Sequence, residues 1–373
     1  MIKKILSVTL SLLTVAALMI FNTAVKGEAE TNDSEIIIEK LSGRVLYQKD
    51  PDEKRYIASL TKIMTAIVVI ENCDLEKKIT VPAKCCGIEG SSVYLKPNEV
   101  LSVEDLLYGL MLRSGNDCAE TLAVTLFGSI DSFARKMNEK AREIGAENTN
   151  FVNPHGLYDG ENYSTARDMA YITAYGMKLN AFRKIAGSRS KVITDSATGE
   201  SRYLKNKNKL LFGYEPCIGV KTGYTKKAGR CLASAAVKGN TELISVVLNC
   251  GPMYEISERN FEAAFARYET IELLNRENFS FESDVGGKEK ARGYIKESFS
   301  YPLTDDEKSA VETKIVTENG LKAPLKKDEI IGRIDITLEN QLIFSQNIYS
   351  ILDVEKKFGL SDAIKNWRMY NNR

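Results

Sequence analysis

The chain has 373 residues, 43% hydrophobic and 27% charged, with 51 Lys and Arg against 50 Asp and Glu. A single hydrophobic core seldom serves more than about 250 residues, so two domains are expected. The balanced charge lacks the basic excess that a phosphate backbone demands, and this excludes nucleic acid as a partner.

At the N-terminus, Lys3 and Lys4 precede an uncharged apolar run from Ile5 to Phe21, followed by small and polar residues. This is the layout of a secretory signal peptide, assigned to residues 1–29, with Ala24, Gly27 and Ala29 as candidate cleavage positions. An uncleaved signal anchor is the alternative. Either way the remaining chain is expected outside the cytoplasm.

The first segment after it, "EIIIEKLSGRVLYQKD" (35–50), reads as two β-rich runs around a Ser-Gly turn. The apolar run from Ser59 is long enough for a buried helix, and Ser59 stands where an N-cap would. "SVEDLLYGLMLR" sets Ser102 and Asp105 in capping spacing, and "NDCAETLAVTLFG" repeats that spacing with Asp117 and Glu120. Two helices should therefore flank the tight "RSGN" connection. "SIDSFARKMNEKAREIG" places Phe133, Met137, Ala141 and Ile144 on one face and stops at Gly145, and "STARDMAYITAYGM" begins a further packing helix.

"CIGVKTGYT", "RCLASAAV" and "ELISVVLNC" have strand character, with "KGNT" turning between the last two, and "ISERNFEAAFARY" closes the region as a helix. Strands at both ends of a helical block predict an α+β fold, an antiparallel sheet covered by helices, over residues 30–271. From residue 272 to 350 short alternating runs replace helical periodicity, which predicts a small all-β domain. Residues 351–373 place Leu360, Ala363, Ile364, Trp367 and Tyr370 roughly on one helical face, with Lys356, Lys357, Lys365 and Arg368 elsewhere. Such a helix is a candidate for peripheral contact with an anionic membrane, or for docking on its own protein.

Seven cysteines form no CxxC pair, and with the single histidine they offer no metal-site spacing. No metal or cofactor is expected. The odd cysteine count leaves at least one thiol unpaired, and scattered cysteines in an exported chain of this length suit a reducing habitat better than a disulfide scaffold.

The chemistry-bearing residues fall in three short motifs. On a helix, positions i and i+3 share a face, so Ser59 and Lys62 can meet, and a neutral amine can take the proton of a serine hydroxyl. Moving a lysine from about 10.4 to about 7 or 8 takes roughly 4 kcal/mol, which burial and a second cation could supply. The spacing alone proves little, because "SRSK" at Ser188 to Lys191 matches it equally well. "SGN", Ser114 to Asn116, lies in an interhelical connection where side chains can face a cleft. "KTG", Lys221 to Gly223, lies on a strand, where Lys221 offers a fixed charge and Gly223 allows close backbone approach. His155, in the Pro-Gly turn "NPHGL", suits a structural role better than that of a base.

The order Ser59-x-x-Lys62, Ser114-x-Asn116, Lys221-Thr222-Gly223 resembles the penicillin-recognising serine enzymes. The surroundings "YIASLTKIMTA", "LMLRSGNDCAETLA", "NPHGLYDGENYSTARDMA" and "GVKTGYTKKAGRCLASA" are similar to the low-molecular-weight penicillin-binding proteins that act as D-alanyl-D-alanine carboxypeptidases, over roughly Glu35 to Tyr268. The small β domain and the tail fit the same family.

The resemblance implies peptidoglycan stem peptides ending in D-Ala-D-Ala as substrate and β-lactams as covalent inhibitors. Ser59 is then the nucleophile, Lys62 the base and Ser114, linked to Lys62 and Lys221, the proton relay. Asn116 would position the substrate amide. The backbone N–H groups of Ser59 and Tyr224 would hold the oxyanion, and Thr222 with Arg259 would meet the terminal carboxylate.

Two rivals remain. A class A β-lactamase should carry Ser-Asp-Asn and a Glu-x-x-x-Asn segment, and neither stands between Ser59 and Lys221. A non-catalytic cell-wall binding relative would be expected to have lost Ser59, Lys62 or Lys221, and all three are present.

Overall fold

Ile36, Ile37 and Ile38 are all fully buried, although strand residues alternate between two faces. The strand Ser34–Glu39 is therefore covered on both sides. Ile36 and Ile38 pack into the helical core, while Ile37 packs with Leu232, Val247 and Phe261 into a second core. The computed structural model describes residues 32–285, 290–317 and 321–355. The signal peptide assigned to 1–29 and nearly all of the tail helix lie outside them. No helix among the described residues is long and apolar enough to cross a membrane.

The central sheet has five antiparallel strands in the order Val45–Lys49, Ser34–Glu39, Thr241–Leu248, Gly229–Lys238, Cys217–Thr225. The hairpin at Ser42–Gly43, the "KGNT" turn and all three "KTG"-side strands stand where the sequence put them. Thr61–Asn72 and Ala166–Lys178 contribute to the layer on one face, and Met253–Arg267 covers the other, so the α+β expectation holds. Cys217–Thr225 is an edge strand, which leaves one side of its backbone open. Among the described residues the cysteines form no disulfide.

Helix starts follow the capping chemistry where a side chain is free to cap. Ser102 accepts from the Asp105 N–H at 3.0 Å, and Thr165 accepts from the Asp168 N–H at 3.0 Å. Two expected caps fail: neither Ser59 nor Asp117 caps its helix, because each is drawn into the site described below. "SRSK" does not lie on one helix turn, since Ser190–Thr194 is a strand paired with Ser201–Lys205.

The boundary expected at 272 falls inside the strand Glu269–Leu274, which pairs with Phe299–Leu303. A separate five-stranded antiparallel sheet follows, ordered Phe281–Asp284, Lys290–Tyr294, Gln341–Ser350, Ile330–Leu338, Val311–Val316, over a core containing Ile334, Ile336 and Ile348. Arg44, from the first hairpin, reaches into this region. It donates to the Pro302 carbonyl and to both Glu307 oxygens, and lies over the rings of Tyr268 and Tyr301. A largely buried bidentate pair of this kind outweighs an exposed one. Arg44→Ala should lower unfolding stability by about 1–3 kcal/mol in urea titration. A change within a few tenths would show the contact to be energetically idle.

Candidate active site

Ser59 sits in a short 3-10 turn, Ala58–Leu60, that feeds directly into the helix Thr61–Asn72. The turn is held in an unusual shape, with Ala58 at φ +47°. Two glycines press on it from opposite chain segments. A Cβ on Gly156 would stand 1.9 Å from the Ala58 carbonyl oxygen, and one on Gly223 would stand 3.0 Å from the Ile57 carbonyl oxygen and 3.1 Å from the Ser59 nitrogen. Gly223 was expected to admit a substrate backbone; the backbone it admits is that of the Ser59 turn.

One turn on, Lys62 is fully buried. Its Nζ donates to Ser59 Oγ at 3.1 Å, to Asn116 Oδ1 at 2.7 Å and to the His155 carbonyl at 2.6 Å. Burial holds its ammonium well below the ordinary lysine range, and the charge of Lys221 pushes the same way; Cys118 opposes them, Lys207 adds a smaller lowering effect, and Asp117 a still smaller opposing one. His155 itself stays neutral at physiological pH, since burial, followed by the Lys62 charge, lowers it to about 3. Its Nδ1 accepts from the Leu157 N–H at 3.1 Å, so the imidazole braces the turn, and its contribution to the site is a carbonyl.

Ser114 and Asn116 converge on the same cleft. Ser114 has φ +64°, and its buried Oγ has no hydrogen-bond partner among the described residues. The expected links from Ser114 to Lys62 and Lys221 are therefore not formed in this structure. Asn116 is engaged within the protein. Its Oδ1 takes the Lys62 bond, and its Nδ2 donates to the Glu89 carbonyl at 2.5 Å, so it positions the lysine.

Asp117, read from sequence as a helix cap, accepts from the N–H groups of Val93 and Leu95, both at 3.1 Å, and from the Ser92 hydroxyl at 2.5 Å. It ties the 92–95 segment to the helix that carries Asn116. The sequence signal was an acidic residue directly after "SGN", and local capping explained it too easily.

Across the cleft runs the open edge of Cys217–Thr225. Lys221 is buried, its Nζ donates to the Thr222 carbonyl at 2.8 Å, and burial together with Lys207 lowers it to about 7. Ser59, Ser91, Ser114, Thr222, Gly223 and Tyr224 line a cleft of about 420 Å³, joined by Lys207, Lys209, Arg230, Met253 and Tyr254. Arg259 is absent from that lining. It lies on the outer helix, with its guanidinium 3.7 Å from Glu35 and hydrogen-bonded to Asn260, because the register of Met253–Arg267 turns it toward the Ser34 strand. Lys207, Lys209 and Arg230 were missed, since isolated basic residues carry no sequence signal.

Buried side chains among the described residues form no cluster suited to a metal ion. The arrangement can carry acyl transfer: a hydroxyl beside a deprotonation-prone amine, a second buried cation, and an open strand edge to receive an extended peptide.

Residues 22–251 match the protein family described as D-alanyl-D-alanine carboxypeptidase, and residues 268–356 match the penicillin-binding protein 5 C-terminal domain. The chain is 31% identical over 337 residues to the D-alanyl-D-alanine carboxypeptidase DacF of Bacillus subtilis (strain 168), covering 87% of this chain and 86% of that one. Among solved structures it is similar to penicillin-binding protein 5 from Haemophilus influenzae, at 30% identity and TM-score 0.75, covering 87% of this chain and 97% of that one. It is also similar to a cysteine-to-alanine mutant of the Streptomyces K15 DD-transpeptidase, at 34% identity and TM-score 0.59, covering 62% and 96%.

Gly156→Ala tests the support of the Ser59 turn. The new Cβ meets the Ala58 carbonyl, and the residue must hold φ +81°. The left-handed conformation alone costs about 1–2 kcal/mol. We expect a lower melting temperature and loss of covalent labelling at Ser59. Retention of both would show that the turn stands without this contact.

Proposed function

The chain belongs to the D-alanyl-D-alanine carboxypeptidase family, and on that premise we propose that it removes the terminal D-alanine from peptidoglycan stem peptides through an acyl-enzyme on Ser59. The observation that carries the assignment is the 3.1 Å contact between Ser59 Oγ and the amine of the fully buried Lys62. The secretory layout of the first 29 residues supports a reaction outside the cytoplasmic membrane.

The stem peptide lies along the open edge of Cys217–Thr225 as an added strand. Neutral Lys62 takes the Ser59 proton as Oγ attacks the penultimate D-alanine carbonyl, and Asn116 with the His155 carbonyl keeps the amine aimed. The N–H groups of Ser59 and Tyr224 stabilise the oxyanion. As the C–N bond breaks, the departing amine receives a proton by way of Ser114, whose unpartnered Oγ is buried beside the cleft. Water then attacks the ester, giving its hydroxyl to the acyl carbon and a proton to Ser59 Oγ as the ester bond breaks, and the shortened peptide leaves. A β-lactam acylates Ser59 by the same steps, its amide nitrogen staying tethered to the acyl group.

Mass spectrometry of a stem pentapeptide after incubation tests the reaction: loss of one alanine supports it, and an unchanged peptide refutes it. Lys62→Ala should keep the fold and lose acylation by at least about 100-fold, the scale of general-base catalysis. Unchanged D-alanine release by that variant would remove Lys62 as base.

The pH dependence follows from the two lysines. The competent neutral form of Lys62 is present above its depressed pKa and disappears as pH falls through it. The cation of Lys221 is present below about 7 and disappears as pH rises through that value. The rate of acylation should therefore trace a bell, with both limbs belonging to the coupled pair. Lys221→Arg keeps the charge and should carry the alkaline limb upward; a limb that stays in place would exclude Lys221 as its origin.

A further inference from the structure

The hairpin of Ser190–Thr194 with Ser201–Lys205 turns one face to the protein and one to solvent. On the inner face Ile193 and Leu204 are buried, and the basic residues beside them are paired, Lys191 with Glu104 at 3.8 Å and Arg202 with Glu99. The outer face is built differently. Ser190, Val192 and Thr194 stand directly opposite Lys205, Tyr203 and Ser201, so each cross-strand pair shares that face. Val192 is 54% exposed and Tyr203 67%, and the hydroxyls of Thr194 and Ser201 are 2.9 Å apart in the next row.

None of these six residues is acidic. The carboxylates at the tip of the hairpin are already committed: Asp195 accepts from the Val100 N–H and the Thr198 hydroxyl, and Glu200 is paired with Lys96 at 2.5 Å. At the Lys205 end, Phe212 is exposed, with Lys205 Nζ 5.3 Å and the Arg189 guanidinium 5.7 Å from its ring. Neither cation forms an ion pair among the described residues.

The same segment leads to the cleft. Ser201, Tyr203, Lys205, Lys207 and Lys209 are exposed, while Leu204, Asn206 and Asn208 are buried, so alternation continues past the end of the strand. Lys207 and Lys209 line the cleft. At about 3.3 Å per residue the run from Ser201 to Lys209 spans up to about 26 Å. Cations and open aromatic rings running into an active site suit a polymer that has sugar faces and carries negative charge at intervals. The face of an aromatic ring is electron-rich and attracts the partly positive C–H groups of a sugar. A peptidoglycan strand has both features, since its stem peptides each end in a carboxylate.

We propose that the outer face of this hairpin, with Phe212 and Arg189, holds the peptidoglycan strand next to the stem peptide being cleaved. Tyr203 and Phe212 meet its sugar rings, and Lys205 and Arg189 pair with the terminal carboxylate of a neighbouring stem. The identity of the polymer rests on the carboxypeptidase reading. The surface lies outside the catalytic cleft and sets the preference for polymer over free peptide.

The test uses the double variant Tyr203→Ser with Lys205→Gln, two exposed side chains that do not line the cleft. Thermal melting checks its fold. D-Alanine release is measured on a soluble stem pentapeptide and on uncross-linked glycan strands bearing the same pentapeptide. The variant should keep kcat/KM on the soluble peptide within about twofold and lose roughly 5- to 30-fold on the strands, through KM, the scale of one or two exposed ionic and cation–π contacts. Co-sedimentation with cell-wall material, before and after acid removal of its phosphodiester polymers, identifies the occupant. Weaker binding of the variant to stripped wall supports the proposal.

Equal kinetics of variant and wild type on the strands, an equal loss on both substrates, or a binding difference that vanishes with the phosphodiesters would each overturn it. A wild type that leaves the soluble pentapeptide intact would overturn the carboxypeptidase reading instead, and sedimentation on stripped wall would still decide the surface. If the double variant melts below the assay temperature, Lys205→Gln alone carries the same comparison.

Discussion

The buried amine of Lys62 is the constraint on which the rest of the site depends. An ammonium taken out of water loses its hydration, so the protein can keep this lysine inside only by letting it titrate low or by surrounding it with acceptors. It does both. Asn116 Oδ1, the His155 carbonyl and Ser59 Oγ all receive hydrogen bonds from Nζ, while Lys221 and Lys207 disfavour its charge. No carboxylate is hydrogen-bonded to it among the described residues. A direct partner of that kind would have stabilised the ammonium.

Several oddities of the fold become supports for that amine. The chain enters the helix through a strained turn, and Gly156 and Gly223 approach from two different segments so closely that no side chain fits. The loop carrying Gly156 also supplies the His155 carbonyl, so one close contact fixes the Ser59 turn and the Lys62 amine together. Asp117 performs the equivalent task on the other wall, gathering the 92–95 backbone onto the helix that presents Asn116. Its carboxylate is saturated with donors, which suits a brace rather than a proton carrier.

The sheet has a corresponding economy. Its inner strands are covered on both faces and hold the core, while the last strand leaves an edge bare beside Ser59. An exposed edge is ordinarily a hazard for aggregation, and here Lys207, Lys209 and Arg230 line the cleft beside it with positive charge. Among the described residues the second domain makes no hydrogen bond or ion pair with the Cys217–Thr225 edge. One described link runs through Arg44 to Glu307 and the Pro302 carbonyl, at the hairpin that forms the opposite edge of the sheet.

Much of this was legible in the residues. Alternation and turn chemistry located the strands around "KGNT", a capping residue located the helix at Ser102, and the ordered motifs at Ser59, Ser114 and Lys221 named the family, because local propensity and motif spacing are properties of the chain itself. The roles of single side chains were not local. Asp117 looked like a cap until its partners arrived from 92 to 95; Asn116 is claimed by Lys62, 54 residues away in the chain; Arg259 and Arg230 are indistinguishable as letters. Which guanidinium faces the cleft depends on strand register and on which acidic residue is near enough to claim the other, and that is decided only when distant segments pack.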